Sequence, residues 1–102
     1  MANTFKNYTG SNIGTSNTTV YTVPAATTSV VIGINLANIH TSQINVDVQL
    51  AGVHLIKNIP IPAGSSLSPL DGKIILEAGD LVIVSSSAVA SMDVIVSVLE
   101  QS

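Results

Sequence analysis

The 102-residue chain has no cysteine, which removes disulfides, thiolate metal sites and cysteine nucleophiles together and leaves the redox compartment unmarked. Charge is scarce as well. Three basic and six acidic residues give a net charge of -3 and a charged fraction of 9%, where an average protein carries ~25%. No block of Lys or Arg could release counterions from a phosphate backbone, so nucleic acid is not an expected partner. Tryptophan is absent and the aromatics are Phe5, Tyr8 and Tyr21, too few for the exposed platform on which a sugar ring usually stacks. No apolar run approaches the ~20 residues of a membrane-spanning helix, and Met1-Ala2-Asn3-Thr4-Phe5-Lys6 lacks the apolar segment of a signal peptide. The expectation is a soluble protein that meets no membrane and is not exported by a classical signal.

Apolar residues make up 46% of the chain, and 22 Ser and Thr with eight Asn supply most of the polarity. A surface hydrated by hydroxyls and amides repels its neighbours weakly and suits close packing against other subunits. The length allows one compact domain. By surface scaling a chain of this size buries roughly 64% of its unfolded surface, enough for one core with little stability in reserve.

The apolar pattern has a period of two. Ile44, Val46, Val48 and Leu50 alternate with Asn45, Asp47 and Gln49, the mark of a half-buried strand. Val30, Ile32, Ile34 and Leu36 repeat the alternation, with Gly33 as the expected site of a bulge or close backbone approach. Met92, Val94, Val96 and Val98 form a third inward set, against Asp93, Ile95, Ser97 and Leu99 on a partly apolar outer face. Thr18 to Val23, Val53 to Lys57, Ile74 to Leu76 and Leu81 to Ser85 are further β-rich segments.

Turn chemistry separates them: Pro24-Ala25, Ala51-Gly52, Ala63-Gly64, Asp71-Gly72 and Ala78-Gly79-Asp80, with Pro60 and Pro62 expected to break a ladder. The Ser-rich stretch from Ser85 to Ser91 reads as a hairpin loop. No window carries a helical stripe with caps. Seven to nine short strands predict an all-β, antiparallel β-sandwich or jelly roll over residues 16 to 102. Residues 1 to 15 differ, being Asn-, Thr-, Ser- and Gly-rich with Phe5, Tyr8 and Ile13 as isolated apolar anchors. They form either an edge strand or an arm laid on a neighbouring subunit, for which Phe5, Tyr8 and Ile13 are the candidate partner-binding residues.

Candidates for chemistry are few. His40, His54, Asp47, Asp71 and many serines are present, but there is no Gly-x-Ser-x-Gly elbow to position a nucleophile. His40 falls in a turn, and His54, between Val53 and Leu55, is expected to point outward. Two histidines without a third ligand make a poor zinc site. Asp47, Asp71, Glu77, Asp80, Asp93 and Glu100 are dispersed, lack calcium-loop spacing, and read as solvated edge and turn charges. Asp71 and Asp80 sit beside glycines, where a short carboxylate accepts backbone N–H groups. Phosphate-binding glycine loops are absent, and the sequons at Asn7 and Asn17 read as ordinary polar strand residues. No catalytic residue, cofactor or metal is expected.

Thr19-Val20-Tyr21-Thr22-Val23-Pro24-Ala25, Thr28-Ser29-Val30-Val31-Ile32, Pro62-Ala63-Gly64-Ser65-Ser66-Leu67 and Leu76-Glu77-Ala78-Gly79-Asp80 together resemble small virion proteins of tailed bacteriophages, including those of cyanobacteria. The similarity runs from about Thr15 to Gln101 and consists of strand-and-turn patterns. The resemblance implies a structural component of the virion: a decoration or cement protein bound to the major capsid protein on the particle surface, made in the host cytoplasm during assembly. A small tail, neck, baseplate or fibre-attachment component is the alternative, and a receptor- or glycan-binding module a further one. Only Lys57, Pro60 and Pro62 blunt the sheet edges, so controlled self-association is expected, as a homo-oligomer with a trimer as first guess.

Overall fold

The computed structural model describes residues 3–70 and 72–102. Nine strands follow one another: β1 (Asn3–Ile13), β2 (Thr18–Thr22), β3 (Thr28–Asn38), β4 (Ile44–Leu50), β5 (Val53–Ile61), β6 (Ser66–Leu67), β7 (Ile74–Leu76), β8 (Leu81–Ser86) and β9 (Met92–Gln101). Two antiparallel sheets pack face to face. In the first, β1, β9 and β3 are neighbours in that order, and β6 and β7 pair with β3 at different points along its far side. The second runs β2-β8-β4-β5. This is the all-β sandwich that the period of two predicts.

The core is aliphatic. Val46, Val48, Val82 and Val84 from one sheet face Val31, Leu36, Val94, Val96 and Val98 from the other, all fully buried. Each strand delivers alternate residues to this layer because successive side chains on a pleated strand point to opposite faces. β4 and β9 follow their expected phase throughout.

β3 departs from it. The ladder with β9 shifts between Val31 and Gly33, so the bulge expected at Gly33 is present, and it reverses the faces on its N-terminal side. Val31, Ile34 and Leu36 are buried, whereas Val30 and Ile32 point away from the core. An extra residue in one strand moves everything before it by one position, which flips each side chain to the other face.

Two connections also differ from expectation. Pro60 does not end its strand, because β5 is a sheet edge paired only with β4, where a missing N–H breaks no inner ladder. The stretch from Ser85 to Ser91 is no hairpin loop but a crossing between sheets, since β8 and β9 belong to different ones. Two of its hydroxyls face inward: Ser86 and Ser91 are buried and bonded to each other, and Ser91 Oγ donates to the Ala88 carbonyl at 2.7 Å, while Ser87 is exposed and accepts the Asn45 N–H.

The turns follow their residues. Ala51 and Gly52 both have positive φ, +54° and +79°, the two-residue form that matches the twist of a hairpin. Ser65 N donates to Pro62 O, and Asp80 N to Glu77 O, with Gly64 and Gly79 at the positive-φ corner of each turn. Asp80 Oδ2 accepts the Glu77 N–H at 2.9 Å, the role expected of it. Asp71, proposed for the same task, lies outside the described residues.

Candidate functional site

Two regions of the molecule carry more than packing: a buried carboxylate at one end of the sandwich and the outward face of the first sheet.

The carboxylate belongs to Glu100. It sits on β9 two residues beyond Val98, in phase with the inward row, and is only 6% exposed. It is therefore not the solvated edge or turn charge that the dispersed carboxylates of the sequence lead one to expect. Tyr21 Oη lies 2.7 Å and Tyr8 Oη 2.9 Å from its Oε2, and Lys6 Nζ lies 3.2 Å from its Oε1. Tyr21 Oη is also 3.0 Å from Ser29 Oγ. A phenol has one proton, which goes to the carboxylate, leaving Ser29 as the donor to Tyr21. The two rings pack with centroids 4.3 Å apart at 31°.

The strands explain the meeting. Cross-strand pairing sets Thr4 and Ser29 on either side of Glu100, and Lys6 beside Val98, so Lys6 and Tyr8 of β1 flank the carboxylate along its own sheet. Tyr21 reaches it from the opposite sheet.

The electrostatics follow from these contacts. The Tyr21 hydroxyl, against the cost of burial, holds the Glu100 carboxyl below its usual range, with Tyr8 and Lys6 adding to the effect. Burial, and then the neighbouring carboxylate, push both tyrosine hydroxyls up, although Ser29 pulls Tyr21 the other way. The bond to Glu100 raises Lys6. Every member has its partners, and among the described residues no buried side-chain nitrogen or oxygen lacks one. A carboxylate with three donors on its two oxygens is a structural tie, and Glu100 lines neither of the hollows described below.

The three anchors expected of residues 1 to 15 part company. Ile13 is 4% exposed and belongs to the core, so its side chain cannot meet a partner. Tyr8 is half-buried against Tyr21 and committed to Glu100. Phe5 alone stands clear, 73% exposed on the outward face of β1. β1 itself lies along β9 from Asn3 to Ile13 as a sheet edge.

His40 occupies its turn, where its Nδ1 accepts the Ser42 N–H at 3.2 Å and its own N–H donates to Asn38 Oδ1 at 2.7 Å. His54 is exposed and paired with Gln49 on the outward face of the second sheet. Among the described residues no three His, Asp or Glu side chains gather closely enough to hold a metal ion, and no helix is long and apolar enough to cross a membrane.

The outward faces of the two sheets contrast. The second presents Asn45, Asp47, Gln49, Thr19 and His54 around Ile83. The first presents Phe5, Val30, Ile32, Ile75, Ile95 and Leu99 among Asn, Ser and Thr. A shallow hollow of about 230 Å³ opens on it, lined by Phe5, Lys6, Asn7, Ile32, Ser97 and Val98. A second, of about 190 Å³, lies by the β4–β5 turn, lined by Leu50, Val53, His54, Leu55 and Ile74.

The architecture defines the chain as a small single-domain β-sandwich. A solved chain from work on Bacillus endospore appendages, described as a novel family of disulfide-linked pili, shares it: the TM-score is 0.58 at 13% identity, over 99% of this chain and 87% of the other. At that identity the likeness concerns the fold. No protein-family model and no curated protein matches the chain.

Proposed function

We propose that this protein is a structural subunit of a multi-copy surface assembly, working by contact and not by reaction. The observation that carries the reading is the distribution of apolar surface. Phe5, Ile32, Ile39, Val53, Ile59, Ile75, Val89 and Ile95 are all exposed on a chain with nine charged residues, whereas the buried carboxylate of Glu100 is closed off by its own neighbours. Apolar area left outside while polar groups are satisfied inside suits burial against other subunits.

Within that class the finer reading is a phage virion protein, a decoration or cement protein seated on the major capsid protein, with a tail, neck or baseplate component as the alternative. The strand-and-turn resemblance supports it. The shared fold of the endospore-appendage chain favours a second setting, a pilus-like fibre, and there this chain differs in one respect: it has no cysteine, so disulfides do not join its copies.

The test is the composition of purified assemblies from the source. Mass spectrometry of virions should find the chain, in hundreds of copies if it covers a capsid lattice and in few if it serves a tail. Particles lacking it should lose resistance to heat and low salt, because a protein that binds only the assembled lattice stabilises it by mass action. Its consistent absence from virions and fibres alike would refute the reading.

A further inference from the structure

Resting on that reading, we infer that the outward face of the β1-β9-β3-β7 sheet is the surface through which two copies of this chain pair, about a two-fold axis.

Cross-strand register builds the face. Phe5 lies opposite Leu99, Leu99 opposite Val30, and Val30 opposite Ile75. Residues paired across neighbouring strands point to the same side, so these four form one apolar row across β1, β9, β3 and β7. Its two ends are the most open, with Phe5 73% and Ile75 68% exposed. The bulge in β3 adds Ile32 to the same side, and Ile95 stands one inward–outward repeat beyond Ser97. Between them the row Asn7, Ser97, Gly33 carries only short side chains, and that shortness makes the hollow of about 230 Å³ beside Phe5.

Three features select a second copy as the occupant. The first is charge. Among the described residues, the outward positions of β1, β9 and β3 hold a single charged side chain, Asp93, at one end of the sheet, and its Oδ1 already accepts the Asn12 N–H at 3.0 Å. Lys6, at the rim of the hollow, is paired with Glu100. At the β7 end Lys73 and Glu77, both exposed, flank Ile75 with one charge of each sign, so the face offers a charged partner no patch of a single sign, and an identical face meets little repulsion.

The second is shape. A protruding phenyl ring stands directly beside a hollow large enough for one, the arrangement a self-complementary contact requires: a two-fold axis between them seats each Phe5 in the other copy's hollow. The third is extent. The molecule measures 45 × 20 × 20 Å, so its long face can bury the ~800 Å² per partner of a standard stable interface. The opposite face, with Asp47, Gln49 and His54, is the one left to water or to a different protein.

Sedimentation equilibrium of the full chain over a range of concentrations tests the pairing. The wild type should fit twice the chain mass. Phe5→Lys and Ile75→Lys each place a charge at a position already open to solvent; circular dichroism should remain that of the folded β protein, while the dissociation constant rises at least tenfold. Thr19→Lys, on the other sheet, should leave the dimer unchanged. A wild-type monomer at the highest concentration, a trimer mass, a dimer indifferent to the two lysines, or equal loss with Thr19→Lys would each overturn the inference. A monomer that is still found in purified assemblies would sink the two-fold pairing alone and leave the structural-subunit reading standing.

Discussion

Replacing Tyr21 with phenylalanine removes one oxygen atom from the core and tests whether the Glu100 cluster ties the sandwich together. Two contacts go. The first is the bond to Glu100 Oε2 at 2.7 Å, a hydrogen bond to a charged acceptor worth about 1.5–3 kcal/mol. The second is the 3.0 Å contact with Ser29, whose side chain is fully buried and loses its acceptor, at about 1 kcal/mol or more. The ring stays, so no cavity opens. A loss of about 2–4 kcal/mol at neutral pH follows, a large share of the 5–15 kcal/mol typical of a whole domain, and a fall in Tm of about 10 °C or more.

Urea denaturation followed by circular dichroism measures this loss, and its pH dependence gives a second check. The folded carboxyl of Glu100 titrates below its reference value of 4.5, so its contribution is fully present above that pH and is lost as pH falls through the lowered folded value. Tyr21→Phe removes the largest cause of the lowering. The gap between variant and wild type should therefore narrow below about pH 4. A variant as stable as the wild type at pH 7, or a gap that does not change with acid, would refute the account.

Other expectations are simpler. Val48→Asp places an unpaired carboxylate in the middle of the core, where Val48 is fully buried, and should abolish cooperative unfolding altogether, or cost more than about 3 kcal/mol by urea titration. Ala51 is exposed with φ +54° at the β4–β5 turn, so Ala51→Asn, which accepts that conformation more readily, should raise stability by roughly 0.5–1 kcal/mol. Gly10 faces the core, and an added Cβ would come within 3.0 Å of Val94 and 3.1 Å of Ile13. Gly10→Ala should cost about 1–3 kcal/mol through overpacking, seen as a lowered Tm with an unchanged spectrum.

Most of the fold is legible in the alternation of apolar residues, and the places where that reading goes astray have identifiable causes. β4 reads correctly because it is a regular central strand at Val46, Val48 and Leu50, with its core on one side and water on the other. In β3 the same rule assigns Val30 and Ile32 to the core, because both faces of that strand are apolar and the pattern has no polar residue to mark the reversal before Gly33. Gly33 marks the site of the bulge, but only pairing with β9 shows that the faces exchange there.

Glu100 was within reach. Extending Met92, Val94, Val96 and Val98 by one step lands on it, although the residue type argues the other way, because a glutamate ordinarily belongs to solvent. Its partners have no local signal, since Tyr21 lies 79 residues and Tyr8 92 residues away in sequence, with Lys6 farther still, and they converge only when two sheets close. The face of the first sheet was half visible in Ile95 and Leu99. Its continuation through Phe5, Val30 and Ile75 needs the order of strands, which no local pattern contains.

That order also explains why a chain with no cysteine can hold a terminal strand in place. β1 is a sheet edge, paired only with β9, and its outward side carries Phe5, Asn7 and Thr9 with no core beneath them. Backbone pairing to a single neighbour is the weakest position in a sheet. The Glu100 carboxylate adds a second hold: it binds Lys6 and Tyr8 of β1 and, through Tyr21, fixes the end of the opposite sheet against the same point. Apolar contact between two sheets does not specify how they slide relative to each other, whereas a directional bond from Tyr21 to Glu100 favours one alignment. The row from Phe5 to Ile75 crosses β1, so it is a continuous surface only while that edge is held. The buried carboxylate thus links the fold to its outer face, and any change that frees β1 should disperse the contact surface before it unfolds the core.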